Sequence, residues 1–83
     1  MNRAPLIRAA SVRDAEAIAR LSEALGYTAD VEITRVRLAH ILASDGDLML
    51  VAENETGAIA GWLQAHAAYI IESGFRVEIT GLI

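Results

Sequence analysis

Apolar residues recur along this chain with three different spacings, and each spacing predicts an element. Leu6-Ile7-Arg8-Ala9-Ala10 is a short apolar segment after Pro5, of strand length, and it ends where Ser11 and Asp14 form an S-x-x-D pair. That pair is a helix-start signal, because an acid at the third helical position reaches back to the cap N–H. Ala15, Ile18, Leu21, Ser22 and Leu25 then recur at three- and four-residue steps, with Arg13, Glu16, Arg20 and Glu23 on the other face. This spacing predicts a helix over 12–25, closed by Gly26 as a left-handed cap. Thr28 and Asp30 offer the next N-cap, and Glu32 places a negative charge in the following first turn. The second helix carries Val31, Ile33, Val36, Leu38, Ala39, Ile41 and Leu42, too many apolar residues for one narrow stripe. It is therefore expected to be buried on two sides or to pack against something beyond the first helix. The turn cluster Ser44-Asp45-Gly46-Asp47 ends it.

From Leu48 the period changes. Leu48-Met49-Leu50-Val51-Ala52 is a continuous apolar run of strand length, Asn54-Glu55-Thr56-Gly57 is a turn, and Ala58 to Ile71 is a long apolar stretch. The turn signal and Gly61 favour strands joined as a hairpin over a buried helix. After Glu72-Ser73-Gly74 the residues alternate: Phe75, Val77, Ile79 and Ile83 one way, Arg76, Glu78 and Thr80 the other. A hairpin centred near Ser73 sets Thr80 opposite His66 and Leu82 opposite Gln64. Gln64, His66, Arg76, Glu78 and Thr80 then share one face, a coincidence that depends on register. The class is α+β: strand, helix, helix, then an antiparallel three-strand meander, in one domain. The last strand has no successor, so its outer edge is a pairing hazard that something should cover.

Composition narrows what such a domain does. The chain has 83 residues, 54% hydrophobic and 22% charged, with one Pro and no Cys. That describes a small globular domain, neither a disordered tail nor a disulfide scaffold. A chain of this size buries only about 60–65% of its unfolded surface, which argues against a deep pocket inside a large core. Seven Arg against eleven acidic residues leave a net charge of −4, spread along the chain, which argues against nucleic acid or an anionic membrane as the main partner. Without cysteine there is no thiolate nucleophile and no Cys-ligated zinc, and two isolated histidines do not make a metal site. Met1 to Leu6 leads into charges instead of the apolar core of a signal peptide. The charge-free run Thr56–Ile71 is too short for a membrane span. The expected setting is the cytoplasm.

The order of these elements resembles the N-terminal half of a GNAT-superfamily N-acetyltransferase, the acyl-CoA N-acyltransferase fold. Leu6–Ala10 followed by Asp14-Ala15-Glu16-Ala17-Ile18 looks like the family's first strand and first helix, and Leu25-Gly26-Tyr27 like the join to the second. Leu50-Val51-Ala52-Glu53 with Gly61-Trp62-Leu63 looks like strands two and three. Glu78-Ile79-Thr80-Gly81-Leu82-Ile83 looks like strand four. The resemblance implies a single, incomplete domain over 1–83 that transfers an acetyl group from acetyl-CoA to an amine of a small molecule or protein. Leu82 and Ile83 then lie against the cofactor's pantetheine arm.

One departure bears on activity. Family members hold the cofactor pyrophosphate on an R/Q-x-x-G-x-G/A loop after the fourth strand, whose backbone N–H groups and helix end suit phosphate. The sequence reaches Ile83 without such a loop, so this chain alone is expected to be inactive. The competing expectation is a catalytically inactive truncated domain that homodimerises through its last strand or serves as a binding module.

An ammonium nitrogen cannot attack a thioester, so acetyl transfer needs a base. By its place on the fourth strand, Glu78 matches the glutamate that does this work in some family members; otherwise it is a solvated carboxylate. Tyr27, in the loop between the helices, matches a segment that borders the acceptor site, or packs against the helix end. Trp62, His66 and Thr80 are further acceptor-side candidates. Trp62 and Tyr69 otherwise read as packing residues, and His66 as a satisfied, half-buried histidine. Arg35, Arg37 and His40 read as a solvated helix face.

Overall fold

The computed structural model describes residues 4–83, so the first three residues of the leader argument lie outside the described residues. Strand β1 (Leu6–Ala9) leads through a 3₁₀ turn at Val12–Asp14 into helix α1 (Ala15–Ala24). Helix α2 (Val31–Leu42) follows, then strands β2 (Asp47–Glu53), β3 (Ile59–Ile70) and β4 (Gly74–Leu82). All neighbours are antiparallel, in the order β1-β2-β3-β4. The α+β expectation holds, with β1 added beside β2 to make the sheet four-stranded.

The local signals act where the sequence puts them. The Asp14 carboxylate accepts the Ser11 backbone N–H at 2.8 Å, and Asp30 caps α2 by accepting the Ile33 N–H at 2.9 Å. Gly26 takes φ +93° at the end of α1, a conformation costly for any residue with a Cβ. Glu16 pairs with Arg20 one turn on.

Both helices lie on one face of the sheet. Ala15, Ile18 and Leu38 meet Met49 and Val51 there, with Ala10 at the end of β1 and Ile41, Ile59 and Trp62 at the margin. One charged group is buried with them: Asp14 takes two hydrogen bonds of 2.9 Å from the Arg8 guanidinium, whose Nε also bonds Glu53. This fork ties the start of α1 to β1 and β2. Of the two expectations for α2, packing against something beyond the first helix is met, since α2 lies on β2 as well as on α1, and burial on two sides is not. Leu38 is its one buried residue, while Ile33 and Val36 are exposed. β2 and α1 together cover the side of α2 that holds Leu38, and Ile33 and Val36 lie outside that contact.

The opposite face of the sheet carries no helix. Cross-strand rows on it read Ile7, Ala52, Gly61; then Ala9, Leu50, Leu63, Leu82; then Leu48, Ala65, Ile79. Ala67 with Val77 and Tyr69 with Phe75 complete it. Every position is apolar apart from the tyrosine hydroxyl. The large side chains Ile7, Leu48, Phe75, Val77, Ile79 and Leu82 are each between 49% and 67% exposed.

The β3–β4 register differs from the expected one by two residues near the turn. Glu78, not Thr80, stands opposite His66. The cause is the turn: Ser73 N–H bonds the Ile70 carbonyl, and Gly74 at φ +81° takes the left-handed position, so Ile70 and Gly74 close a three-residue loop centred on Glu72. A shift of two preserves which face each side chain is on, so His66, Arg76 and Glu78 do share a face. A bulge then inserts one residue at Thr80, setting Gly81 opposite Gln64 and Leu82 opposite Leu63. Beyond it the facing reverses: Leu82 joins the outer apolar face, and Ile83, expected beside Ile79, turns toward Trp62 on the helix side.

Candidate functional site

The bulge at Thr80, the α1–α2 loop and the first turns of α2 enclose a cleft of about 580 Å³. Five residues singled out from sequence converge on it: Tyr27, Trp62, Thr80, Leu82 and Ile83. Tyr27 gets there because Gly26 turns the chain sharply after α1, with the Tyr27 N–H bonded to the Ser22 carbonyl. Ile83 is held by two backbone hydrogen bonds to Trp62, 3.0 and 3.2 Å. Since Ile83 exchanges both of its bonds with Trp62, the alternation of an antiparallel ladder turns the N–H and C=O of Leu82 outward, to the free edge of β4.

Trp62 is the chain's single tryptophan. Its ring lies over Gly81 so closely that a Cβ on residue 81 would sit 2.6 Å from the indole. Gly81 is thus the residue that lets the ring lie flat across β4 as a wall of the cleft. The indole N–H is buried and has no hydrogen-bond partner.

Sequence reasoning set aside the cleft face of α2. Asp30, Ile33, Thr34 and Arg37 line it, spaced i, i+3, i+4 and i+7. That spacing was the available signal, obscured by the apolar residues at every turn of this helix. The Arg35/Arg37 pair divides: Arg35 is ion-paired with Glu32, whereas Arg37 faces the cleft with no ion-pair or hydrogen-bond partner among the described residues.

Glu78 and His66 do not line the cleft. They stand opposite each other on β4 and β3, on the helix side of the sheet. Glu78 is half-exposed and ion-paired with Arg76, and His66 Nδ1 lies 3.1 Å from Asp47 Oδ1. The Ser44 side chain, and after it His66, holds the Asp47 carboxyl below its ordinary range. Along β4, Glu78 is one step from Thr80 and Gly81 on the same side of the sheet. Tyr69 is exposed on the opposite, outer face. No group of three or more His, Asp or Glu among the described residues is arranged to hold a metal ion, and no helix is long and apolar enough to cross a membrane.

No protein-family model matches the chain, and no curated protein matches it. Solved structures do. A GNAT family acetyltransferase from Staphylococcus aureus superposes with a TM-score of 0.82 at 20% identity, covering 96% of this chain and 62% of that one. A GNAT family acetyltransferase from Streptococcus pneumoniae superposes with a TM-score of 0.63 at 23% identity, covering 90% of this chain and 54% of that one. The likeness is one of fold: the chain has the GNAT acetyltransferase fold, over little more than half the length of these neighbours. The strand–helix–helix–meander order matches the N-terminal half of that fold.

Proposed function

We propose that the cleft binds an amine beside an acetyl-CoA thioester, in an acetyltransferase-type domain. The observation that carries this reading is the convergence of Tyr27, Trp62, Thr80, Leu82 and Ile83 on one cleft at the end of β4. The chain's residues suit one part of the cofactor. The pantetheine arm is a run of amides, and the outward N–H and C=O of Leu82 offer it the pairing a neighbouring strand would make, while Ile83 contributes the wall beside it. The pyrophosphate has no glycine loop to receive it among residues 4–83. When bound, the cofactor supplies an activated acyl carbon.

The remaining chemistry belongs to side chains. Tyr27 and Trp62 exclude water from the amine and orient it. Thr80, displaced by the bulge, forms part of the cleft wall, its hydroxyl donating to the Gln64 carbonyl at 3.4 Å. Glu78 takes the amine proton through an ordered water one step down β4, and His66 flanks it. In a complete version of the protein, replacing Glu78 by glutamine is expected to lower acetyl transfer about 10²–10³-fold and to change its pH profile. An unchanged profile would remove Glu78 as the base. Calorimetric titration with acetyl-CoA tests the reading as a whole: saturable binding supports it, and none refutes it for this chain. The reading carries a small-molecule or peptide amine as partner and a cytoplasmic setting.

A second reading, an inactive domain acting as a homodimerising or binding module, is favoured by a separate observation. β4 is an edge strand and the sheet's outer face is apolar apart from the Tyr69 hydroxyl. Monomeric proteins seldom expose large contiguous apolar patches, whereas Ile7, Leu48, Tyr69, Phe75, Val77, Ile79 and Leu82 are all exposed together on this face. Sedimentation at high protein concentration is expected to show a dimer under this reading, and a monomer would end it. The variant Leu48→Lys, on an inner strand, would dissociate pairing through the face and leave pairing through the β4 edge intact.

A further inference from the structure

The cleft's polar groups are unequal in kind. Its one carboxylate, Asp30, is already engaged as the cap of α2, accepting the Ile33 N–H. Its one guanidinium, Arg37, is without a partner among the described residues, and the Trp62 indole N–H close by is buried and unpaired. Thr34, one turn before Arg37 on the same face of α2, adds a hydroxyl. Asp30 commits one oxygen, Oδ1, to that cap, and Arg37 is the cleft's charged donor without a partner among the described residues. A ligand complementary to it brings acceptor oxygens with negative charge.

We infer that Arg37 reads an anionic group, a carboxylate or a phosphate, carried on the amine acceptor, so that the acceptor class is an amine with an acid at its far end. This rests on the acetyltransferase reading for the word acceptor, and on the cleft alone for the anion. Arg37 suits the task chemically, since a planar guanidinium engages a carboxylate with two parallel hydrogen bonds. It suits it geometrically too, as it sits two turns along α2 from the Asp30 cap, on the same stripe as Ile33 and Thr34. The apolar Ile33 between them gives the methylene chain of such an amine a surface to lie on.

The test uses the emission of Trp62, with no need for turnover. The probes are ω-amino acids from glycine to 6-aminohexanoate, each against its own amide, together with coenzyme A. The expected result is saturable quenching by at least one acid, with its amide binding about tenfold more weakly. Arg37→Gln should erase that preference, and Arg37→Lys should keep part of it. Far-UV circular dichroism and a Tm unchanged in Arg37→Gln, an exposed position, separate loss of contact from loss of fold. Equal binding of every acid and its amide, or no binding by any of them, would overturn the inference. So would an Arg37→Gln effect confined to coenzyme A, which would give the guanidinium to the cofactor's phosphates. Acid-selective binding with no calorimetric response to acetyl-CoA would keep Arg37 as an anion reader while removing the acetyltransferase reading.

Discussion

Asp14→Ala is expected to be the most destabilising single change in this protein, lowering stability by about 2–4 kcal/mol. The variant removes both hydrogen bonds to Arg8 and the one to the Ser11 N–H, and leaves a half-buried guanidinium with Glu53 and the Ala9 carbonyl. For a domain of this size such a loss corresponds to a fall in Tm of roughly 10–20 °C, which thermal unfolding followed by circular dichroism measures. The fork also fixes a pH dependence. Arg8, then the Ser11 N–H, holds the Asp14 carboxyl below its ordinary range against the opposing effect of burial. A depressed folded-state value means the stabilisation is fully present above the unfolded carboxyl's pKa of about 3.9 and is lost as pH falls through the lower folded value. Asp14→Asn should lack that part of the acid transition. Arg8, pushed above its ordinary range first by Asp14 and then by Glu53, adds no dependence near neutrality because it stays charged in both states. A variant within 1 kcal/mol of wild type would show that the fork is a surface contact and not a tie.

Leu38→Ala should have the next largest effect, and a more local one. Leu38 is the single buried residue of α2, 2% exposed, with Ile41 half-buried one turn on. Truncating a buried leucine costs about 2–4 kcal/mol, the lost transfer energy plus the cavity left behind. Because the rest of α2 is exposed, that cost falls on its docking against β2 and α1. The helix carrying Ile33, Thr34 and Arg37 should open before the sheet does. Hydrogen exchange is the measurement: α2 amides are expected to exchange at least tenfold faster relative to β2 and β3 than in wild type. Uniform acceleration across helix and sheet would mean that α2 unfolds only with the whole domain. In either case the cleft loses a wall, so anion binding at Arg37 should weaken in parallel.

The sequence by itself determined the elements and their class, because those depend on interactions between near neighbours. The Ser11/Asp14 pair, the Asp30 cap, the left-handed glycine at 26 and the alternation after Gly74 are each complete within a few residues. Parity along β4 was legible for the same reason, so His66, Arg76 and Glu78 fell on one face even though the turn centre was one residue away. Tyr27, Leu82 and Ile83 entered from the resemblance in the order of elements, and Thr80 and Trp62 from the reading of the strands; that all five line one cleft is contained in no local pattern. What only the tertiary structure decided depends on residues distant in the chain. Gly74 in the left-handed position set the register, the bulge at Thr80 moved Ile83 to the helix side, and together they put Glu78 beside the cleft instead of in it. Whether the apolar residues of α2 are buried depends on what lies over them, and β2 and α1 cover only the side that holds Leu38. Arg35 and Arg37 look alike in sequence. Glu32 neutralises one and the cleft receives the other, a difference set by where the sheet sits against the helix.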